Sequence, residues 1–295
     1  MDEWHSWRRG RVAESTWKRD QSVIAGLPRA MGSRELRSIR TRDIEHAITE
    51  DRVTVSTMKR RLTTLGAFFS WCVREGMLPA SPVKGVEVPR GTDVVVAMNP
   101  WTWQELEHVA ADMGQHAPRM ADVVLVLGWT GLRWGEARAL RVGDVMREQG
   151  SAALMVRSSH SEGMREKSTK GGRSRRVPVA DRVLPIIERW VRDKSPSDLL
   201  LTTERGAQVH KSNLRRAVRW HDYAPGHSIH DLRHTAATEW LRSGVDVRTV
   251  QAWLGHSSLT TTQVYVHYLG SSADRTALDL INERGTLGAH DSGSA

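Results

Sequence analysis

The chain has 295 residues, 39% of them hydrophobic, with a mean hydropathy of -0.46, too long for one small core and suited to two domains of roughly 100–200 residues. With 43 Lys+Arg against 34 Asp+Glu it carries a net charge of +9 and a pI near 10.3, which points to a polyanionic partner. No apolar run approaches the ~20 residues of a membrane span, MDEWHSWRRG lacks the apolar segment of a signal peptide, and the single cysteine, Cys72, excludes an intramolecular disulfide and a multi-cysteine zinc site; the expectation is a cytoplasmic protein with no membrane partner.

The first 90 residues hold 17 basic and 11 acidic side chains, so a nucleic-acid-gripping surface is expected there. Arg outnumbers Lys 36 to 7, which suits bidentate phosphate contacts and equally reflects a GC-rich coding sequence.

Residues 1–89 read as a small helical domain. A first helix is expected from Glu14 to Leu27, capped by Ser15 or Thr16 and ended near Pro28. A second starts at Thr41 or Arg42. The third is marked by Met58, Leu62, Leu65, Phe69 and Cys72, whose spacings of four and three make one apolar stripe; Gly76 and Pro79 end it. Lys59, Arg60 and Arg61 form a basic cluster assigned to DNA backbone contact, though such a run also suits a solvated face. Residues 90–99 lie in a proline- and glycine-bearing stretch without helical periodicity and are taken as a linker.

From residue 100 a larger mixed domain is predicted to extend to 283. Thr102 and Glu105 form a capping-box pattern, and VVLVLGW, apolar on all sides, marks a buried central helix. Between 144 and 179 the period shortens, and AALMVRS, MREKSTK and SRRVPVA read as a three-stranded antiparallel sheet. Helices follow at about 181–193, 210–222, 230–243, 246–254 and 260–268, and residues 284–295 read as a disordered tail. The fold class is therefore mainly α with a small antiparallel β-sheet in the second domain.

The chemistry concentrates in SIHDLRHTAATEWLRSGVDVRTVQAWLGHSSLTTTQVYVHY, residues 228–268. It supplies guanidinium groups for phosphate oxygens, imidazoles for proton traffic and a phenol as nucleophile, the residue types that break a phosphodiester without a metal. His230 and His234 invite a zinc reading, but the Glu of an HExxH motif and a third ligand are missing; no metal or cofactor is expected.

Four stretches in this order resemble the tyrosine recombinase, or phage integrase, family. TGLRWGEARALRVGDV is similar to its first arginine motif, STKGGRSRRVPV to its β-hairpin lysine motif, HDLRHTAAT to its His-x-x-Arg box, and LGHSSLTTTQVYVHY to its second-histidine and nucleophile segment. TVSTMKRRLTTLGAFFSWCVREGMLPASP resembles the family's helical core-binding domain. The resemblance implies a helical core-DNA-binding domain followed by a catalytic domain. It also implies a covalent 3′-phosphotyrosine intermediate, independence from ATP, and assembly as a tetramer on two duplexes, with accessory factors as further partners. The core-like pattern begins within the first fifteen residues, so the layout resembles either arm-less, Xer-type or mobile-element members or a longer integrase whose arm-binding domain has been removed.

Carried over by residue, the resemblance makes Tyr265 the nucleophile, with Tyr268 as its rival. Arg133 and Arg233 clamp the non-bridging oxygens. Lys170, with Lys167 as rival, protonates the leaving 5′-oxygen. His230 accepts the tyrosine proton, His256 bonds the phosphate, and Glu136 orients Arg133 or His230. The basic residues Arg173 and Arg175, with Arg176, read as phosphate contacts or as solvated, and Arg173 and Arg175 are assigned to DNA. Residues 273–283 are a candidate docking segment for a neighbouring protomer. Two other functions use overlapping features: a type IB topoisomerase, with much the same residues, and a non-catalytic DNA-binding regulator, which needs only the basic surface.

Overall fold

The computed structural model describes residues 2–27, 29–88, 98–148, 151–160, 162, 167–168 and 174–266. Backbone contacts divide the chain into two compact units, Met1–Ala97 and Met98–Ala295.

The first unit contains α1 (Asp2–Arg8), α2 (Glu14–Ala25), α3 (Arg29–Gly32), α4 (Thr41–Thr49) and α5 (Val55–Arg74). Helix α1 lies ahead of the first helix predicted, and α2 is preceded by Ala13 without a side-chain cap, so neither Ser15 nor Thr16 caps it. Helix α5 is the organiser. Thr54 caps it by accepting from the Thr57 N–H, and Leu65, Phe69 and Cys72 of the predicted stripe are fully buried. A buried carboxylate ties the helices together: Asp20 accepts from Arg8 Nε at 2.7 Å and from Thr64 Oγ1 at 2.8 Å. Trp4 closes the core edge-on to Phe68.

Arg61 departs from its predicted DNA role. Its Nη1 donates to the carbonyls of Ala47 and Glu50, both at 3.0 Å, and its side chain is 11% exposed. It satisfies the free carbonyls where α4 ends, a position that favours a cation. Lys59 and Arg60 are exposed.

The second unit begins with α6 (Trp103–Gly114), α7 (Pro118–Thr130) and α8 (Trp134–Ala139). The Thr102–Glu105 capping box forms as expected. Helix α7 is the buried central helix: its residues 123–128 are all within the core, and α6 and the later helix Asp231–Arg242 pack on it.

The sheet has three antiparallel strands in the order β1 (Val145–Glu148), β2 (Ser151–Val156) and β5 (Arg175–Val179), with Leu154 opposite both Val145 and Val177. A separate ribbon pairs β3 (Ser158–Ser159) with β4 (Lys167–Ser168). The sheet therefore takes its third strand from 145–148, not from MREKSTK as predicted.

The remaining helices are α9 (Leu184–Val191), α10 (Lys211–Ala217), α11 (Trp220–Tyr223), α12 (Asp231–Arg242), α13 (Val247–Leu254) and α14 (Leu259–Val266). The predicted 210–222 helix is thus two pieces, separated where Arg219 adopts φ 50°. Helices α12, α13 and α14 pack on one another, and α13 also meets β5. A mainly helical chain with a small antiparallel sheet matches the expected fold class. The proposed docking segment 273–283 and tail 284–295 lie outside the described residues.

Candidate active site

The site begins where α7 ends. Gly131, at φ 60°, turns the chain in the left-handed conformation that glycine adopts without strain. Two residues later Arg133 occupies the N-cap position of α8; it stands between the buried helix and the next, not within one. Glu136, three residues on, accepts the Arg133 backbone N–H at 2.8 Å and pairs with its guanidinium at 2.9 Å. Arg133 also reaches the carbonyls of Leu254, at 3.3 Å, and Gly255, at 3.5 Å. Its side chain stays 41% exposed, so one edge of the fork remains available.

Arg233 projects from α12 into the same place and is 2% exposed. It donates to the Gly131 carbonyl at 2.7 Å and to the Leu254 carbonyl at 2.6 Å. The two guanidinium groups therefore converge on Leu254 O, at the C-terminal end of α13, where unsatisfied carbonyls and the negative pole of the helix favour cations. Burial, then the charge of Arg133, lowers the Arg233 pKa to about 9, which leaves it cationic at neutral pH. Gly255 ends α13 at φ 64°, and a Cβ there would stand 2.8 Å from Arg175 Cδ; glycine is required both by conformation and by space.

Arg175, like Arg61, is held within its own unit. Assigned to DNA, it instead reaches from β5 to Glu136, with Nη1 to Oε1 at 2.9 Å and Nη2 to Oε2 at 2.6 Å, while its Nε donates to the Trp253 carbonyl at 2.7 Å. Its side chain is 12% exposed. Burial raises the pKa of the Glu136 carboxyl, but the hydrogen bonds and charge of Arg175, followed by the charge of Arg133, outweigh it and hold the group below its ordinary value. Glu136 is thus an ionised, buried hub that joins α8, β5 and, through Arg175, the end of α13.

His230 stands at the N-cap of α12. Its outer edge is exposed, yet protein around the rest of the ring, then the Arg233 charge, lowers its pKa. One turn later His234 lies edge-on to it, with ring centroids 4.7 Å apart. The Tyr265 hydroxyl is 3.0 Å from His234 Nδ1. Among the described residues no hydrogen bond joins His230 to Tyr265, so the imidazole on the phenol is the second of the pair and not the one predicted. The HDLRH spacing already places both imidazoles on one helix face; which one meets the tyrosine depends on how α12 packs against α14.

Tyr265 is 3% exposed. Burial raises its pKa, opposed by the charges of Arg233 and Arg133. His256 follows Gly255, and its Nδ1 lies 2.9 Å from Thr262 Oγ1 of the tyrosine-bearing helix. Its ring is nearly parallel to that of Tyr265, at an interplanar angle of 6° and 6.2 Å between centroids. Burial, then the charges of Arg233, Arg133 and Arg175, lowers the His256 pKa to about 4. Arg133, Arg233, His230, His256 and Tyr265 are therefore gathered in one place by residues from three parts of the chain. Lys170 and Arg173 lie outside the described residues. On α8, Arg138 donates to the carbonyls of His160 and Val209, each at 2.8 Å. Among the described residues no group of three or more His, Cys, Asp or Glu is placed to hold a metal ion.

A phenol hydrogen-bonded to an imidazole, beside two guanidinium groups held in a site of low dielectric, is equipped for nucleophilic attack on a phosphodiester with stabilisation of the charge that develops on its oxygens. Comparison with known proteins agrees. Residues 102–271 match the phage integrase family. The tyrosine recombinase XerC of Mycobacterium tuberculosis (strain ATCC 25177 / H37Ra) is 31% identical over 228 residues, covering 72% of each chain. XerD of Pseudomonas putida is 31% identical over 221 residues, covering 70% of each. Among solved structures, a Tn1549 transposon integrase in complex with transposon right end DNA superposes with a TM-score of 0.72 at 16% identity, covering 93% of this chain and 96% of that one. A lambda integrase dimer bound to a COC′ core site gives a TM-score of 0.69 at 18% identity, covering 88% and 94%. The chain belongs to the phage integrase family and is a site-specific tyrosine recombinase.

Proposed function

We propose that Tyr265 attacks a scissile phosphate in duplex DNA, giving a covalent 3′-phosphotyrosine and a free 5′-hydroxyl, and that a DNA 5′-hydroxyl then reverses the bond on a new partner strand. Arg133 and Arg233 hold the non-bridging oxygens of the pentacoordinate transition state. His256 donates a further hydrogen bond to the phosphate, and Lys170 protonates the leaving oxygen. Since the phosphotyrosine preserves the energy of the broken bond, rejoining needs neither ATP nor metal. The observation that carries this reading is the convergence of Arg133 and Arg233 on the Leu254 carbonyl beside a buried tyrosine that is already hydrogen-bonded to an imidazole.

The exposed Lys59 and Arg60 of the first unit fit backbone contact with the duplex, and a complex of four protomers on two duplexes fits the family. Integration or excision of phage or mobile-element DNA, within the cytoplasm of a bacterial host, is the corresponding biological role. The test uses a randomised library of nicked duplexes, in which the short fragment beyond the cleaved bond diffuses away and traps the adduct. Wild type is expected to yield a protein–DNA adduct that survives denaturant, and sequencing of its DNA gives the core site. Tyr265→Phe is expected to bind the same duplex and yield none; an adduct from that variant moves the nucleophile elsewhere.

A further inference from the structure

The geometry points to His234 as the group that takes the Tyr265 proton during attack, a role that rests on the reading of Tyr265 as nucleophile. Three observations converge on it. His234 Nδ1 is 3.0 Å from the phenol oxygen. Burial, then the nearby His230, lowers the His234 pKa to about 4, which keeps the ring neutral at working pH, so that one of its two nitrogens carries no proton. His230, the other candidate, lies against His234 with its ring at 82° and not against the phenol.

In the step itself the Tyr265 Oη–P bond forms as the P–O5′ bond breaks. The phenolic proton passes to His234 Nδ1, and the 5′-oxygen receives a different proton, the one proposed above to come from Lys170. As Oη bonds to phosphorus its proton becomes steadily more acidic, so a weak base suffices late in the step, and the incoming phosphate stabilises the imidazolium that forms. On rejoining, the same proton returns to the phenol.

The test separates the two proton transfers. The duplex recovered from the wild-type adduct is made in two forms, one with its natural 5′-oxygen and one with sulfur at that bridging position, where the departing thiolate needs no proton. Single-turnover adduct formation is measured at saturating protein for His234→Ala and His234→Asn. Asn places an oxygen near the position of Nδ1, so it keeps a hydrogen bond but accepts no proton. Both variants are expected to be slower by about a hundredfold or more on both substrates, with DNA affinity retained and with partial rescue of His234→Ala by added imidazole. A wild-type rate for His234→Asn would show that His234 only aligns the phenol and would overturn the proposal, as would a wild-type rate for His234→Ala. If His234→Ala also loses DNA binding, His234→Asn decides. An adduct formed by Tyr265→Phe would instead remove the nucleophile assignment, a failure distinguishable from that of His234.

Discussion

Glu136→Gln isolates the hub of the site. The carboxylate accepts two hydrogen bonds from Arg175, one from the Arg133 guanidinium and one from the Arg133 backbone, and Glu136 is 3% exposed. Glutamine keeps one acceptor oxygen and turns an NH2 donor toward a guanidinium, so about two charged hydrogen bonds are lost. Each contributes roughly 1.5–3 kcal/mol net, giving about 3–6 kcal/mol, which brackets the roughly 3–5 kcal/mol for breaking a buried ion pair from one side. Urea unfolding at neutral pH should therefore show the transition of the second unit destabilised by about 4 kcal/mol. Because the folded pKa of Glu136 is depressed, its contribution is present above the unfolded carboxyl value and is lost as pH falls through the folded one; wild type should lose this component in acid and Glu136→Gln should not. The double variant Glu136→Gln with Arg175→Met should be less destabilised than the sum of the two single variants, since it removes the uncompensated guanidinium. A Glu136→Gln protein within about 0.5 kcal/mol of wild type, against the 3–6 kcal/mol expected from lost charged hydrogen bonds, would refute this account of the hub.

Thr262→Val, which removes the hydroxyl on His256 Nδ1 at unchanged shape, should slow adduct formation about fivefold, equivalent to one net hydrogen bond of about 1 kcal/mol, while Thr262→Ser retains the rate; equal rates in all three would remove the coupling. Arg61→Ala should destabilise the first unit by about 2 kcal/mol through its two carbonyl contacts and leave the salt dependence of DNA binding unchanged, whereas Lys59→Ala and Arg60→Ala should each lower that slope by about one; salt titrations of binding distinguish the cases. His234 and His256, both with pKa lowered to about 4, bind protons more readily when unfolded. Their effect on stability should be nil above pH about 6.5 and should grow as a loss down to pH about 4, a slope that urea midpoints measured against pH would show diminished in His256→Asn.

Much of the architecture is legible in the chain because it is set locally. The α5 stripe from Met58 to Cys72 and the Thr102–Glu105 box each depend on residues within a turn or two of one another, and helical periodicity reports them directly. The site motifs are legible for a different reason: their residue types and order resemble those of a family. The sheet was less so. Its strands are four to six residues long, too short for alternation to separate 145–148 from 164–170 as the third strand.

Single charges and imidazoles were decided only by tertiary packing. Arg61 and Arg175 sit in basic runs that look alike in sequence, yet each bonds groups from elsewhere in its unit: Arg61 the carbonyls that end α4, Arg175 the Glu136 carboxylate and the Trp253 carbonyl. His230 and His234 differ by one helical turn and share a face; the packing of α14 on α12 selects His234 as the partner of Tyr265. Residue type and spacing therefore determined which chemistry this protein carries. The approach of α13 and α14 to α12 determined which side chains meet, because a hydrogen bond depends on position to within a few tenths of an ångström and such precision exists only once the helices have packed.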